Sequence, residues 1–343
     1  MKRSLVFAVP EFLPLVALTQ LAEEQGFDRV WTTETPNRDA LVRALTLGLA
    51  TTSIGIASGI AYAFTRAPLA LAATASDIFA ATGGRFSLGL GAGTQGMRTR
   101  WYSMGDFDHA ASRIEEYANL MREAWRSEKN FQFEGRFYAG SYAELEGVRA
   151  AVPLWGSGVN ETMLRISARS CDGVAVHSLG AELRNLDLRI LPALRAGAEE
   201  AGCAREIALW RVTAISEDAD GAREMARRGL AFYFSTPSYG AAAQTAGWGD
   251  VAETVRNLFR DHGPDWNRVA AAIPDEMVAD FCWAGSPDEV RRAFSSLEEE
   301  YRSRGITEIV LQAAPSLGSS EETLANIEMI IRELSPTRGP DGR

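Results

Sequence analysis

Short apolar runs alternate with amphipathic helical patterns from the first residues of this chain almost to its last. Leu5–Val9, Phe27–Thr33, Ser53–Ser58 and Phe86–Leu90 read as strands. Leu15–Gln25, Asp39–Ala50, Pro68–Ala81 and Ala111–Trp125 read as the helices that follow them. Such alternation leaves little choice, because parallel strands need a crossover, and a helix is the usual one. The second half continues the pattern with strands at Val152–Trp155, Gly173–Val176, Ile207–Ala214 and Ile306–Ala313. Helices are expected from the residues after Gly158 to Ser170, and over Leu183–Ala201, Ala219–Phe234 and Glu321–Leu334. Ser286-Pro287-Asp288-Glu289 starts a further helix, with Ser286 as cap and Pro287 in the first turn.

Eight strands with their helices predict an α/β fold, a (β/α)8 TIM barrel, which needs about 250 residues. The chain has 343. The surplus is assigned to irregular insertions after strands four and seven and to a small hairpin at Phe131–Ser141 before strand five. An open doubly wound sheet is the alternative. No composition boundary or repeat divides the chain, so one domain over residues 1–343 is expected, with a frayed tail at 335–343.

The stretch Thr82–Gly93 sets strand four in context. Gly83 and Gly84 close the preceding helix in a left-handed conformation that glycine enters without penalty. Gly89, Gly91 and Gly93 recur at every second position, so one face of the strand is bare and backbone there can be approached closely. In parallel α/β folds ligands bind at the carboxyl ends of the strands, which makes this loop a candidate site.

A net charge of −10 argues against a general nucleic-acid or anionic-membrane surface. It leaves room for an anionic cofactor held by a local cluster of donors. Cys171, Cys203 and Cys282 lie far apart without a paired motif, and His109, His177 and His262 are isolated from one another. Neither a disulfide framework nor a metal site is expected. The start Met1–Val9 meets Pro10 and Glu11 too early for a signal peptide, and a cytoplasmic protein is expected.

Four blocks together resemble the luciferase-like superfamily. They are Phe27–Glu34, Thr65–Pro68, Gly83–Gly91 and Asp172–His177, in order and spacing that match along nearly the whole chain. Within the superfamily the likeness is to the F420-dependent oxidoreductases and is similar to methylenetetrahydromethanopterin reductase. The resemblance implies a barrel with coenzyme F420, or alternatively FMN, lying across the strand ends. It places Glu34 as the acidic catalytic residue after strand two, with a structural ion pair as the other reading. It places Gly59 and Ile60 where relatives carry a non-proline cis peptide behind the ring; an ordinary trans turn is the alternative.

Gly91, Ala92 and Gly93 match the loop beside the ring's polar edge. Gly156, Ser157 and Gly158 match the place of the cofactor phosphate, where free amides at a helix start attract an anion. His177, at the end of strand six, is the second catalytic candidate, as a donor to ring or substrate, or else a structural histidine. Thr35 stands where relatives often have histidine, so that proton donor is missing. Arg66 either pairs with a neighbour or is solvated. Trp101, Tyr102 and the Trp248 region are candidate walls or a lid. The implied activity is an F420-dependent oxidoreductase passing hydride between the deazaflavin C5 and a small organic substrate, commonly as a homodimer. An FMN-dependent monooxygenase and a non-catalytic flavin-binding protein are the alternatives.

Overall fold

The computed structural model describes all residues except 105–107, 145–150, 316, 318 and 338–343. Twelve strands appear in it. They are β1 Lys2–Phe7, β2 Arg29–Thr32, β3 Gly55–Ser58, β4 Ala61–Tyr62, β5 Phe86–Gly91 and β6 Phe131–Glu134. The others are β7 Ala139–Tyr142, β8 Leu154–Gly158, β9 Gly173–Val176, β10 Glu206–Ile215, β11 Cys282–Gly285 and β12 Glu308–Ala313. The eight strands read from sequence correspond to β1, β2, β3, β5, β8, β9, β10 and β12, and the fold is the (β/α)8 barrel.

By its contacts the chain forms two compact units. One comprises Met1–Asp28, Val176–Pro192 and Ile207–Arg343; the other comprises Arg29–Ala175 and Ala193–Glu206. In the first unit β12 pairs in parallel with both β1 and β10, in the registers Leu5↔Leu311 and Trp210↔Val310. In the second, β2 pairs with β3, β3 with β5, and β5 with β8, again all parallel. Every residue of β5 and of β12 is buried, as expected of parallel strands covered on both faces.

The local signals explain the elements. Gly83 and Gly84 do adopt φ of 64° and 82° after the helix Pro68–Ala81, whose bounds match the reading. Ser286 and Glu289 form a reciprocal capping box at the start of the helix Pro287–Ser303. The helical stretch from Leu183 to Ala201 is interrupted by a π turn at Leu186–Ile190. In the second unit Trp31 is fully buried edge-to-face against Trp155, with centroids 5.3 Å apart, and Arg29 lies over both rings. Such an aromatic pair adds about 1 kcal/mol beyond its area.

The hairpin before strand five is β6–β7, as expected. Its turn is fastened by Glu116, whose carboxylate accepts the amides of Arg136, Phe137 and Tyr138 at 2.9, 2.7 and 2.6 Å. The insertion after strand seven is helical and packs around Phe234, Met277 and Phe281. It ends in β11, a short parallel strand beside β10 that the sequence reading did not include. Of the expected frayed tail, the Ser335 hydroxyl donates to the Gln25 carbonyl at 3.0 Å, and residues 338–343 lie outside the described residues. Among the described residues no helix is long and apolar enough to cross a membrane.

Candidate functional site

Glu34 follows β2 by two residues and is only 5% exposed. A carboxylate so placed needs a partner, and Arg66 supplies it. One guanidinium nitrogen of Arg66 donates to both Glu34 oxygens, at 2.9 and 3.0 Å, and the other donates to Asp39 at 2.7 Å. Asp39 is itself fixed: it caps the helix Ala40–Leu49 by accepting the amides of Leu41 and Val42 at 2.8 and 3.0 Å. The Tyr117 hydroxyl donates to the Arg66 carbonyl at 3.0 Å and secures the backbone. Arg66 is therefore an ordered partner, bridging the strand end to a helix start.

The electrostatics of this triad are uneven. Burial pushes the Glu34 carboxyl above its ordinary range, and the hydrogen bond and charge of Arg66 recover only part of that. Burial opposes the charge on Arg66 too, but two carboxylates outweigh it and hold the guanidinium protonated. Burial likewise works against ionised Asp39, yet two backbone amides and Arg66 prevail and keep it low. Of the two carboxyls, Glu34 is thus the one whose proton is held more tightly than usual, which suits a group that gives or takes a proton.

The bare face of β5 lies beside Glu34's neighbour strand. The Gly59 amide donates to the Thr32 carbonyl at 2.6 Å, so the chain after β3 stays beside the chain after β2. The Gly59–Ile60 peptide is cis. The segment Ser58–Tyr62 then covers the three alternate glycines one for one. A Cβ at Gly89 would stand 2.0 Å from the Ser58 carbonyl oxygen, and one at Gly91 would stand 1.7 Å from Ile60 Cδ1. At Gly93, with φ of 66°, the neighbour is the Tyr62 ring. The space freed by Gly89 and Gly91 is filled by the chain's own segment, and Ile60 is seated there without being fully buried.

Ser157 completes this side. Its hydroxyl donates to the Leu90 carbonyl at 3.2 Å, and its oxygen would lie 2.7 Å from a Cβ at Gly91. Ala92 and Gly93 remain partly exposed past the strand end. Tyr62 packs edge-to-face against Tyr102, with centroids 5.6 Å apart, and its hydroxyl reaches Met97 Sδ at 3.7 Å. The Tyr102 hydroxyl oxygen is buried and has no partner among the described residues. Trp101 is largely exposed.

Gly156, Ser157 and Gly158 belong to the strand rather than to a helix opening. β8 runs through Gly158, and the helix Glu161–Ser170 begins after Asn160, whose side chain accepts the Met163 amide at 2.9 Å. The physical reason is packing: a Cβ at Gly156 would meet Ser167 at 2.4 Å, and one at Gly158 would meet Met163 at 2.9 Å. Glycine lets the returning helix lie close on the strand end.

His177 lies in the first unit, just beyond β9, and is not among the residues brought together around Glu34. Its Nδ1 accepts the Leu179 amide at 3.3 Å and so caps the turn Ser178–Gly180. The ring stacks on Tyr239 at 4.7 Å and meets Tyr233 edge-on at 5.0 Å. Burial lowers its pKa to about 4, so the ring is neutral at pH 7 with its proton on Nε2. Tyr233 in turn accepts from the Gln312 amide, and Gln312 is 4% exposed.

Sequence reasoning missed Asp39, Tyr62, Tyr233, Tyr239 and Gln312. Gln312 alone carried a signal, as one polar side chain in the apolar run Ile309–Ala313. Trp248, a candidate lid residue, donates its indole N–H to Asp280 at 2.7 Å and acts as a local anchor. Burial pushes the Cys171 and Cys282 thiols up to about 11 and 12, which leaves neither as a nucleophile near neutral pH.

A family model described as luciferase-like monooxygenase matches residues 8–308. The 5,10-methylenetetrahydromethanopterin reductase of Archaeoglobus fulgidus is 26% identical over 340 residues, spanning 95% of this chain and 98% of the relative. Among solved structures, the coenzyme F420-dependent tetrahydromethanopterin reductase of Methanopyrus kandleri is similar with a TM-score of 0.78. Its identity is 20%, and the match covers 97% of each chain. The oxygenating constituent of 3,6-diketocamphane monooxygenase from Pseudomonas putida, in complex with FMN, is similar with a TM-score of 0.67. Its identity is 17%, over 98% of each chain.

Proposed function

Because the chain belongs to the luciferase-like monooxygenase family, we propose that it is an oxidoreductase that uses coenzyme F420 and a small organic substrate. The observation that carries this reading is the interlock at adjacent strand ends in the second unit. Ile60 is seated on bare Gly91 with Ser157 alongside, while Glu34 is held by Arg66 after the neighbouring strand. The likeness over 97% of each chain to the coenzyme F420-dependent tetrahydromethanopterin reductase of Methanopyrus kandleri supports coenzyme F420 as the partner of that surface. FMN is the alternative, supported by the FMN-bound monooxygenase of the same fold.

The residues present fit such a group. The buried, unpartnered Tyr102 hydroxyl offers a donor to a polar ring edge, and Ile60, Ala92 and Gly93 offer a surface with little side-chain bulk. When bound, the deazaflavin supplies hydride exchange at C5; the protein supplies position and electrostatics. In this reading Ile60 with Gly59 backs the ring, Gly91, Ala92 and Gly93 border its polar edge, and Gly156, Ser157 and Gly158 lie toward its phosphate.

Glu34 holds or releases a proton at its carboxylate. Arg66 orients that carboxylate and takes up only part of its hydrogen-bonding capacity, since a carboxylate has about four acceptor sites. His177 is a neutral donor through Nε2. Val42 and Leu49, both exposed on the helix Ala40–Leu49, support a homodimer through that helix, which light scattering tests.

Titration of the protein with coenzyme F420 and with FMN, followed by the change in cofactor fluorescence, tests the assignment. Saturable F420 binding at least tenfold tighter than FMN binding is expected. The reverse order, with oxygen uptake by reduced FMN, replaces this reading by the monooxygenase. Binding of neither removes both.

A further inference from the structure

Gln312 is buried on β12, and one atom of its amide is unsatisfied. Its Nε2 donates to the Tyr233 hydroxyl, while its Oε1 is buried with no partner among the described residues. Exchanging the two ends of the amide leaves the count unchanged, because one end still goes without a partner. A buried polar atom left so is costly, and a fold tolerates it where something else completes the pair.

The neighbours of this amide indicate what completes it. Tyr233 stands edge-on to His177, and Tyr239 stacks on the same imidazole. The Leu179 amide occupies His177 Nδ1, so the ring's remaining N–H, at Nε2, is a directed donor. His177, Tyr233 and Tyr239 all retain some exposure, whereas Gln312, bonded to Tyr233, is buried. The four side chains provide an aromatic wall, one N–H donor and one spare amide atom. None of the four is a carboxylate, lysine or arginine, so the cluster has no counter-ion of its own for a charged ligand.

We propose that His177, Tyr233, Tyr239 and Gln312 form a binding subsite for an uncharged, planar carbonyl compound. His177 Nε2 donates to the carbonyl oxygen, the two tyrosine rings, nearly perpendicular with centroids 5.8 Å apart, border the guest as an apolar corner, and Gln312 pairs with the ligand's second polar atom. The neutral state of the buried imidazole is consistent with an uncharged guest. This rests on the oxidoreductase reading only in naming the guest a substrate; the recognition itself needs no cofactor.

Benzamide and benzoate are probes of nearly equal shape that differ in charge. Saturation-transfer NMR titrations on the purified protein are expected to show benzamide binding at least tenfold tighter than benzoate. Gln312→Leu and His177→Phe should each weaken benzamide at least fivefold, while Gln312→Leu leaves coenzyme F420 affinity within twofold. Gln312→Glu, of nearly the same shape, should also lose benzamide, and it decides the matter if the leucine variant does not fold. Equal binding of the two probes, absence of benzamide binding, or variants that bind benzamide like the parent would overturn the subsite. Failure of F420 to bind while the benzamide contrast persists would overturn the proposed function and leave the subsite standing.

Discussion

Replacing His177 by asparagine keeps an acceptor for the Leu179 amide and removes the titrating ring. In the unfolded chain the imidazole titrates near 6.5, and in the folded chain near 4, because burial disfavours the charged form. A depressed folded value means that the unfolded state binds the proton first as pH falls. Stability is therefore complete above about pH 6.5 and is lost as pH falls toward 4. At 1.36 kcal/mol per unit, the loss by pH 5 comes to about 2 kcal/mol, and residual contact of the ring with water lowers this toward about 1 kcal/mol. Urea unfolding of the parent and of His177→Asn at pH 7.5 and pH 5 measures it. The parent should lose about 1–2 kcal/mol more than the variant between the two values. A proton NMR titration placing the His177 midpoint near 6.5, or equal pH dependence of the two proteins, would refute the argument.

Three further outcomes follow from the same contacts. Gly89→Ala drives a methyl group into the Ser58 carbonyl, a backbone atom that cannot retreat, and should cost more than about 3 kcal/mol in urea unfolding. Gly91→Ala meets the flexible end of Ile60 and should cost about 1–2 kcal/mol while weakening cofactor binding; equal costs at the two positions would contradict the interlock. Arg66→Met strands the Glu34 carboxylate and should cost about 2–3 kcal/mol. The raised folded pKa of Glu34 favours its neutral form, so this cost should shrink as pH falls and the carboxyl protonates. Glu34→Gln in the same chain should restore most of the stability, and a pH-independent loss would count against the pairing.

The barrel was legible because its evidence is periodic. Apolar runs such as Phe86–Leu90 and helices such as Pro68–Ala81 satisfy local rules; the helix formed within those bounds and the strand ran one residue further, to Gly91. β4 and β11 escaped because two or four residues carry no period; they exist through pairing with β5 and β10. The bounds of β8 moved because Gly-Ser-Gly looks like a loop, yet its glycines answer to the helix that packs on them. The same limit applies at the site. Glu34, Arg66 and Ile60 were found through resemblance to a family. The contact of Asp39 with Arg66 spans 27 positions and that of Gln312 with Tyr233 spans 79, separations at which no motif records a partner.

A crystal structure of the protein with coenzyme F420 tests the central claim most directly. The account predicts the deazaflavin ring against Ile60 and the Gly91–Gly93 backbone, with the Glu34 carboxylate on the side where a substrate is admitted. A ring bound elsewhere, with Ile60 and Glu34 untouched by ligand, would contradict it.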